Sequence, residues 1–281
     1  MINKIIPFIA GLLFTLQSCS KWENESVSKG ETWSFVVFSD PQDGYGIYSL
    51  LAENISRINP IPKVAICCGD IMANSANEVE WLNFIKCSRP ILDNMPLLIA
   101  RGNHDGNDPA SETILRQYGQ ITGKNFYYTY RENDAFFIIL DTEIKGEEQA
   151  ILGDELKWLK YQLDSATVES SIVHIFLFMH RPLYPQGLHK GENLHNADSL
   201  HQIFLRHKKI RAIFAGHDHM YNKYIKEGEI YITTGGAGGV LYSGYGGDYH
   251  HFTKVSFFRD TLQINIKTIG IFNEVVEDFN I

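Results

Sequence analysis

Asp40, Gln42, Asp70, Asn103, His180, His217 and His219 each stand just beyond an apolar run. Ser34-Phe35-Val36-Val37-Phe38 leads into Ser39-Asp40-Pro41-Gln42, and Val64-Ala65-Ile66-Cys67-Cys68 into Gly69-Asp70. Pro96-Leu97-Leu98-Ile99-Ala100 leads into Arg101-Gly102-Asn103-His104-Asp105. Ile175-Phe176-Leu177-Phe178-Met179 ends in His180-Arg181-Pro182, and Ala212-Ile213-Phe214-Ala215 in Gly216-His217-Asp218-His219. Short apolar runs of this kind read as buried strands. Strands that end in polar clusters deliver side chains to one edge of an α/β fold, where sites are built. Carboxylate, amide and imidazole donors in this number make a ligand set for two divalent metal ions. Mn, Fe, Zn and Mg all accept such donors, and site geometry selects among them.

The intervening elements must carry these ends to one place. Ile47, Leu50, Leu51, Ile55 and Ile58 share one helical face, and Asn59-Pro60-Ile61-Pro62 stops that helix. A second helix is expected over 77–87. Around Arg131-Glu132-Asn133-Asp134 the flanking runs are aromatic and β-branched, which reads as a hairpin. Leu156, Leu159 and Leu163 mark an amphipathic helix, with Asp154 as its N-cap. Residues 181–196 hold Pro182, Pro185, Gly187 and Gly191 and form a loop over the site. A helix over 197–207 precedes the strand into Gly216, and further strands lie near 229–233, 250–258 and 261–268. The Gly-rich runs 235–239 and 244–247 let backbone approach the site closely. They lack the Lys-Ser/Thr of a nucleotide P-loop. The chain begins βαβα-like and ends strand-rich, so two largely β layers face each other with helices outside.

With 281 residues, 44 % of them hydrophobic, the chain can bury one large core or two modest ones. One domain over 32–281 is expected, because no linker interrupts the motif strands. The net charge of -8 comes without any basic block, which argues against a nucleic-acid polymer as partner. A small phosphorylated substrate is compatible with that charge, since bound metals reverse the local sign. Nothing in the sequence sets an oligomeric state.

Residues 1–18 read as a signal peptide: Lys4, an apolar stretch from Ile5 to Leu16, then Leu16-Gln17-Ser18-Cys19. The last four resemble a bacterial lipobox, which implies cleavage before Cys19 and a lipid on that cysteine. The apolar stretch is too short for a good membrane span. Residues 19–31 are a polar tether. The expected place is the bacterial cell envelope, anchored to a lipid bilayer through Cys19. Cys67 and Cys68 are adjacent on a strand and point to opposite faces. One could bridge to Cys87, but small buried thiols are the simpler expectation.

The five blocks together resemble the calcineurin-like metallophosphoesterase superfamily. Its pattern runs Asp-x-His, Gly-Asp, Gly-Asn-His-Asp/Glu, a His, and Gly-His-x-His. Here these are Asp40-Pro41-Gln42, Gly69-Asp70, Gly102-Asn103-His104-Asp105, His180, and Gly216-His217-Asp218-His219, within a stretch from 34 to about 268. The resemblance implies a four-layer αββα sandwich of two mixed β-sheets, of the α/β (α+β) class. It implies one metal held by Asp40, Asp70 and His219 with Gln42 nearby. A second would be held by Asp70, Asn103, His180 and His217, with Asp70 shared. His104 would protonate the leaving oxygen and Asp105 would orient its ring. The activity implied is hydrolysis of a phosphomonoester or phosphodiester by a metal-bridging hydroxide. Gln42 stands where the pattern has His, so the expectation is a lipoprotein form marked by Asp-Pro-Gln, with a weakened first metal; the plainer alternative is that Gln42 only hydrogen-bonds beside the ligands. Two other readings stand beside it: a non-catalytic ligand-binding lipoprotein on the same scaffold, and a metallohydrolase acting on a non-phosphoester. No Gly-x-Ser-x-Gly is present, which argues against an α/β-hydrolase.

Overall fold

Alternation along the first strand, β1 (Glu31–Phe38), decides the layering. Phe35 and Val37 enter one core while Val36 and Phe38 enter another, as a period of two requires. A computed structural model describes residues 30–119, 121, 123–259 and 262–281. The expected signal peptide 1–18, Cys19 and the tether up to residue 29 lie outside the described residues. Among the described residues, no helix is long and apolar enough to cross a membrane.

After β1 come α1 (Tyr45–Ser56), β2 (Ala65–Cys67), α2 (Glu78–Leu92), β3 (Leu97–Ile99) and α3 (Pro109–Tyr118). The middle of the chain holds β4 (Tyr128–Glu132), β5 (Ala135–Ile139), α4 (Gly153–Val168), β6 (His174–Phe178) and α5 (Ala197–Phe204). The rest is strand: β7 (Ile210–Ala215), β8 (Tyr221–Lys226), β9 (Glu229–Thr234), β10 (His251–Phe258), β11 (Ile264–Gly270) and β12 (Val275–Asn280). Two mixed six-stranded sheets result, in the orders β12-β11-β10-β1-β2-β3 and β4-β5-β6-β7-β9-β8. β1, β2 and β3 are parallel in the first; β5, β6, β7 and β9 are parallel in the second.

Phe35 lies at the centre of the core between the sheets. Its ring meets those of Phe137 at 4.9 Å and Phe176 at 5.0 Å, both edge-on. Such pairs add about 0.5–1.5 kcal/mol beyond area burial. Outside the first sheet, Tyr48, Leu51 and Ile55 of α1 and Trp81 and Phe84 of α2 cover Val36 and Phe38. Outside the second, Leu159 and Leu163 of α4 and Leu200 and Phe204 of α5 cover Ile175, Leu177 and Ile213. Helix, sheet, sheet, helix is thus the expected αββα sandwich.

Local departures have local reasons. α2 runs on through Pro90, whose missing N–H leaves the Lys86 carbonyl without its helical donor, for one further turn. α3 is additional to the helices expected above; Asp108 starts it by accepting from the Ala110 and Ser111 amides, and Pro109 follows. Asp154 does not cap α4: Leu152 holds that position, and Asp154 pairs with Lys157 at the surface. β8 and β12 are edge strands with weaker patterns than their neighbours. Cys67 and Cys68 are buried in different layers, and neither they nor Cys87 is bridged.

Candidate metal centre

The loops after β1, β2, β3, β6 and β7 meet at one edge of the sandwich. Their backbone is bent to do so. Asp40, Gln42, Asp70 and His217 all have positive φ, at 61°, 42°, 51° and 68°. Each such residue costs about 1–3 kcal/mol unless its surroundings hold it there. The hold is visible. The Asp40 amide donates to Gly69 O at 3.0 Å, and the Gln42 amide to Asp70 O at 3.2 Å. The His217 amide donates to Asp40 Oδ2 at 3.0 Å. From the Gly-rich run, Gly239 donates to Asp40 O at 2.8 Å, and a Cβ there would stand 2.8 Å from the His219 ring.

Two donor clusters share one carboxylate. Asp40, Asp70 and His219 form the first; Asp70, His180 and His217 form the second. In each, the donor atoms lie within 4.8 Å of one another. His180 Nδ1 donates to Cys68 O at 2.9 Å, and His219 Nδ1 to Val240 O at 2.8 Å. Each carbonyl fixes the tautomer and leaves Nε2 to an ion. Those Nε2 atoms lie 3.3 Å from Asp70 Oδ1 and 3.5 Å from Asp40 Oδ1. Asn103 Oδ1 is 2.9 Å from His180 Nε2. Tyr242 stacks on the His219 ring at 4.6 Å.

The donor set fits two divalent cations. Asp40 and Asp70 are fully buried carboxylates, which are stable only when paired or coordinating. Burial works against charge on His180, but Asp70 overrides it and lifts the ring to about 10. Burial presses Asp70 upward, yet His180 and His104 hold it well below the usual carboxylate range. Burial, with the neighbouring His180 and Arg181 charges, keeps His217 far below the usual imidazole range. The pocket therefore favours positive charge beside Asp70 and presents a neutral imidazole next to it. Both are what a cation bound by carboxylate and histidine needs.

The expectation of a variant form defined by Asp-Pro-Gln is corrected here. Both clusters are complete in carboxylate and intact histidine without position 42. Gln42 instead donates from Nε2 to Asp70 Oδ2 at 3.3 Å, so it braces the shared carboxylate. The physical reason is that His217 and His219 already bring the imidazoles, from the other sheet.

Asp105 is buried and accepts four backbone amides, from Asp70, Ile71, Met72 and Gly102, at 2.8–3.3 Å. It ties the loop after β2 to the loop after β3. The His104 ring is exposed and held from elsewhere: its Nδ1 is 2.7 Å from Ala73 O. The His104 amide donates to Asp70 Oδ1 at 2.9 Å.

Several residues that shape the site carry no motif. Arg101 makes a buried two-point pair with Asp141, at 3.1 and 2.5 Å. Arg181 Nε donates to Glu143 at 2.6 Å and Nη1 to His217 Nε2 at 2.9 Å. The one signal in the sequence is that Arg101 and Asp141 each follow an apolar strand, with opposite charge.

The family model for calcineurin-like phosphoesterases matches residues 34–221. The chain belongs to that family. Rat serine/threonine-protein phosphatase CPPED1 is 28% identical over 179 residues, covering 59% of this chain and 56% of its own length. The chain thus spans little more than half of the length of that curated relative. Among solved structures, the purple acid phosphatase PPD1 from yellow lupin superposes with a TM-score of 0.75 at 15% identity, over 88% of this chain and 53% of its own. A dimetal phosphatase from Danio rerio superposes with a TM-score of 0.67 at 15% identity, over 89% of this chain and 99% of its own. At those identities the superpositions speak for the fold, and the two donor clusters speak for the metals.

Proposed function

We propose that this chain hydrolyses phosphoesters at the centre built on Asp70. The observation that carries the reading is the meeting of two carboxylate–histidine clusters at one buried aspartate. Two divalent cations held there would supply positive charge against phosphoryl oxygens and acidify a water. Asp40, Asp70 and His219 would hold one; Asp70, His180 and His217 the other, with Asn103 beside it. Gln42 and the His104 amide keep the Asp70 carboxylate in one orientation. Arg181, fixed by Glu143, brings a permanent charge suited to a phosphoryl oxygen. His104 donates through Nδ1 to Ala73 O, and in the imidazolium form its Nε2–H would be the proton passed to the leaving oxygen.

A phosphomonoester is the first substrate to try, since the rat relative is named a serine/threonine-protein phosphatase. Metal-free protein is supplied singly with Mn, Zn, Fe or Mg and assayed on aryl phosphate and aryl phosphodiester. Turnover that needs metal, and that falls by about 10²–10⁴-fold in His104→Ala, is the expected result. No turnover with any metal refutes the reading. Attachment of the domain to a bacterial envelope membrane through Cys19 belongs to the same proposal. It rests on Leu16-Gln17-Ser18-Cys19. The mass of the N-terminal peptide from membranes tests it, and an unmodified Cys19 rejects it.

A further inference from the structure

We propose that Tyr242 is a positioning residue for one metal of the pair: with the backbone of residues 237–240 it clamps Asp40 and His219 and leaves the other cluster to other parts of the chain. This rests on the two-metal reading. Of the two inner clusters, the first is the one whose unshared ligands are Asp40 and His219. Residues 237–242 lie between β9 and β10, outside every motif block, and they reach both ligands. The Ala237 amide donates to Ser39 O at 2.9 Å and the Gly239 amide to Asp40 O at 2.8 Å. His219 Nδ1 donates to Val240 O at 2.8 Å, and the Tyr242 amide donates to His219 O at 3.1 Å. The Tyr242 ring lies 4.6 Å from the His219 ring, 6° from parallel.

An imidazole donates to a cation in the plane of its ring, so that plane has to be aimed. A hydrogen bond at Nδ1 selects the tautomer and fixes one direction within the ring. It leaves the ring free to tilt about that direction. A second aromatic ring stacked against it removes the tilt. Nε2 of His219 is thereby kept beside Asp40, 3.5 Å from its Oδ1. Gly239 bounds the ring from a further side, since a Cβ there would stand 2.8 Å from His219 Cε1.

Core packing does not account for the arrangement. Among the described residues, Val240, Leu241 and Tyr242 enter none of the three apolar cores, and Val240 is 80% exposed. Tyr242 itself is half-buried, flat on His219 and edge-on to His189 at 5.8 Å. A ring outside the cores that lies flat on a metal-site imidazole serves that imidazole. The second cluster is held from elsewhere: His180 Nδ1 donates to Cys68 O, and His189 and Arg181 meet the His217 ring. The effect of Tyr242 therefore falls on the ion held by Asp40, Asp70 and His219.

The test titrates cobalt(II) chloride into the metal-free full chain and follows the visible absorption bands, with Tyr242→Leu, Tyr242→Phe and Gly239→Ala in parallel. Asp40→Asn marks the bands of the first site and His217→Ala those of the second. Tyr242→Leu should weaken the first site alone by about 10-fold, at the low end of the roughly 10–100-fold that loss of an outer partner costs. Tyr242→Phe keeps the stacked ring and should stay within about twofold of wild type. Gly239→Ala crowds the same imidazole from another side and should weaken the same site, which carries the test if the leucine variant does not fold. Superimposable cobalt isotherms for wild type, Tyr242→Leu and Gly239→Ala overturn the proposal, and so does an equal loss at both sites. A loss confined to the first site in a protein that turns over no ester supports the clamp while removing the phosphoesterase reading. Superimposable isotherms in a protein that hydrolyses aryl phosphate do the reverse.

Discussion

A methyl group at position 102 has no room. Its carbon would stand 2.2 Å from the Asp70 amide nitrogen and 2.3 Å from Asp70 Oδ1, where ordinary contact begins at 3.4 Å. Backbone carries the closer of these contacts, so no side-chain rotation relieves it. Asp70 and the loop after β3 must separate by about 1.2 Å, an overpacking that costs roughly 1–3 kcal/mol. The larger effect is positional. Asp70 is the one residue common to both inner clusters, so its displacement disturbs both at once. A misplacement near 1 Å at a reacting centre costs about 10²-fold in rate. Gly102→Ala should therefore lower both tight zinc affinities together and cut aryl phosphate turnover by about that factor. Urea denaturation and zinc titration on the same preparation measure the two parts. Gly46→Ala is the control: nothing lies within 4 Å of its Cβ, in the middle of no site, and helix α1 gains up to about 1 kcal/mol. Full zinc affinity with turnover within about twofold of wild type in Gly102→Ala refutes the claim that this close approach positions Asp70.

Arg101→Met strands Asp141 in the core and should cost about 3–5 kcal/mol by urea denaturation, with most of it recovered in Arg101→Met/Asp141→Leu. A single variant as stable as wild type rules out a structural role for the pair. Burial, with the nearby Asp141 charge, pushes Glu155 up to about 9, against the amide of Asp141 that it accepts. The folded pKa lies above the unfolded value, so between about pH 4.5 and 9 the unfolded chain binds fewer protons and stability falls as pH rises, by at most about 1.4 kcal/mol per unit. Glu155→Gln should flatten that slope between pH 6 and pH 8; an unchanged slope assigns it to other groups. Removing divalent ions with a chelator should lower Tm, and zinc at about 100 times Kd should restore roughly 2.7 kcal/mol per site. Asp70→Asn should abolish that response, and a Tm indifferent to zinc in the wild type removes both inner clusters.

The layer plan is legible in the sequence because it rests on local periodicity. Phe35, Val36, Val37 and Phe38 alternate between cores, and any strand in water-excluding surroundings must do so. Donor types at strand ends are equally local, which is why Asp40, Asp70, His180, His217 and His219 stand out. Gln42 shows the limit of that reading. Its type suggests a weakened ligand, but its hydrogen bond to Asp70 shows a brace, and only the meeting of the two sheets shows that the histidines suffice. The start of α3 was within reach, since Asp108-Pro109 is a capping signal.

By itself the sequence determined the two-sheet plan, the family and the chemical class of the centre, since each follows from residue type and short-range spacing. Only the tertiary structure decided which residues act together at a distance. Asp105 gathering amides from two loops, Arg101 locked to Asp141, and His189 lying over His217 all join segments that are separate in the chain. So does the left-handed backbone at Asp40, Asp70 and His217, which is sustained by hydrogen bonds to neighbouring loops. Sheet order sets these contacts. It minimises the free energy of the whole core, and no window of neighbouring residues contains it.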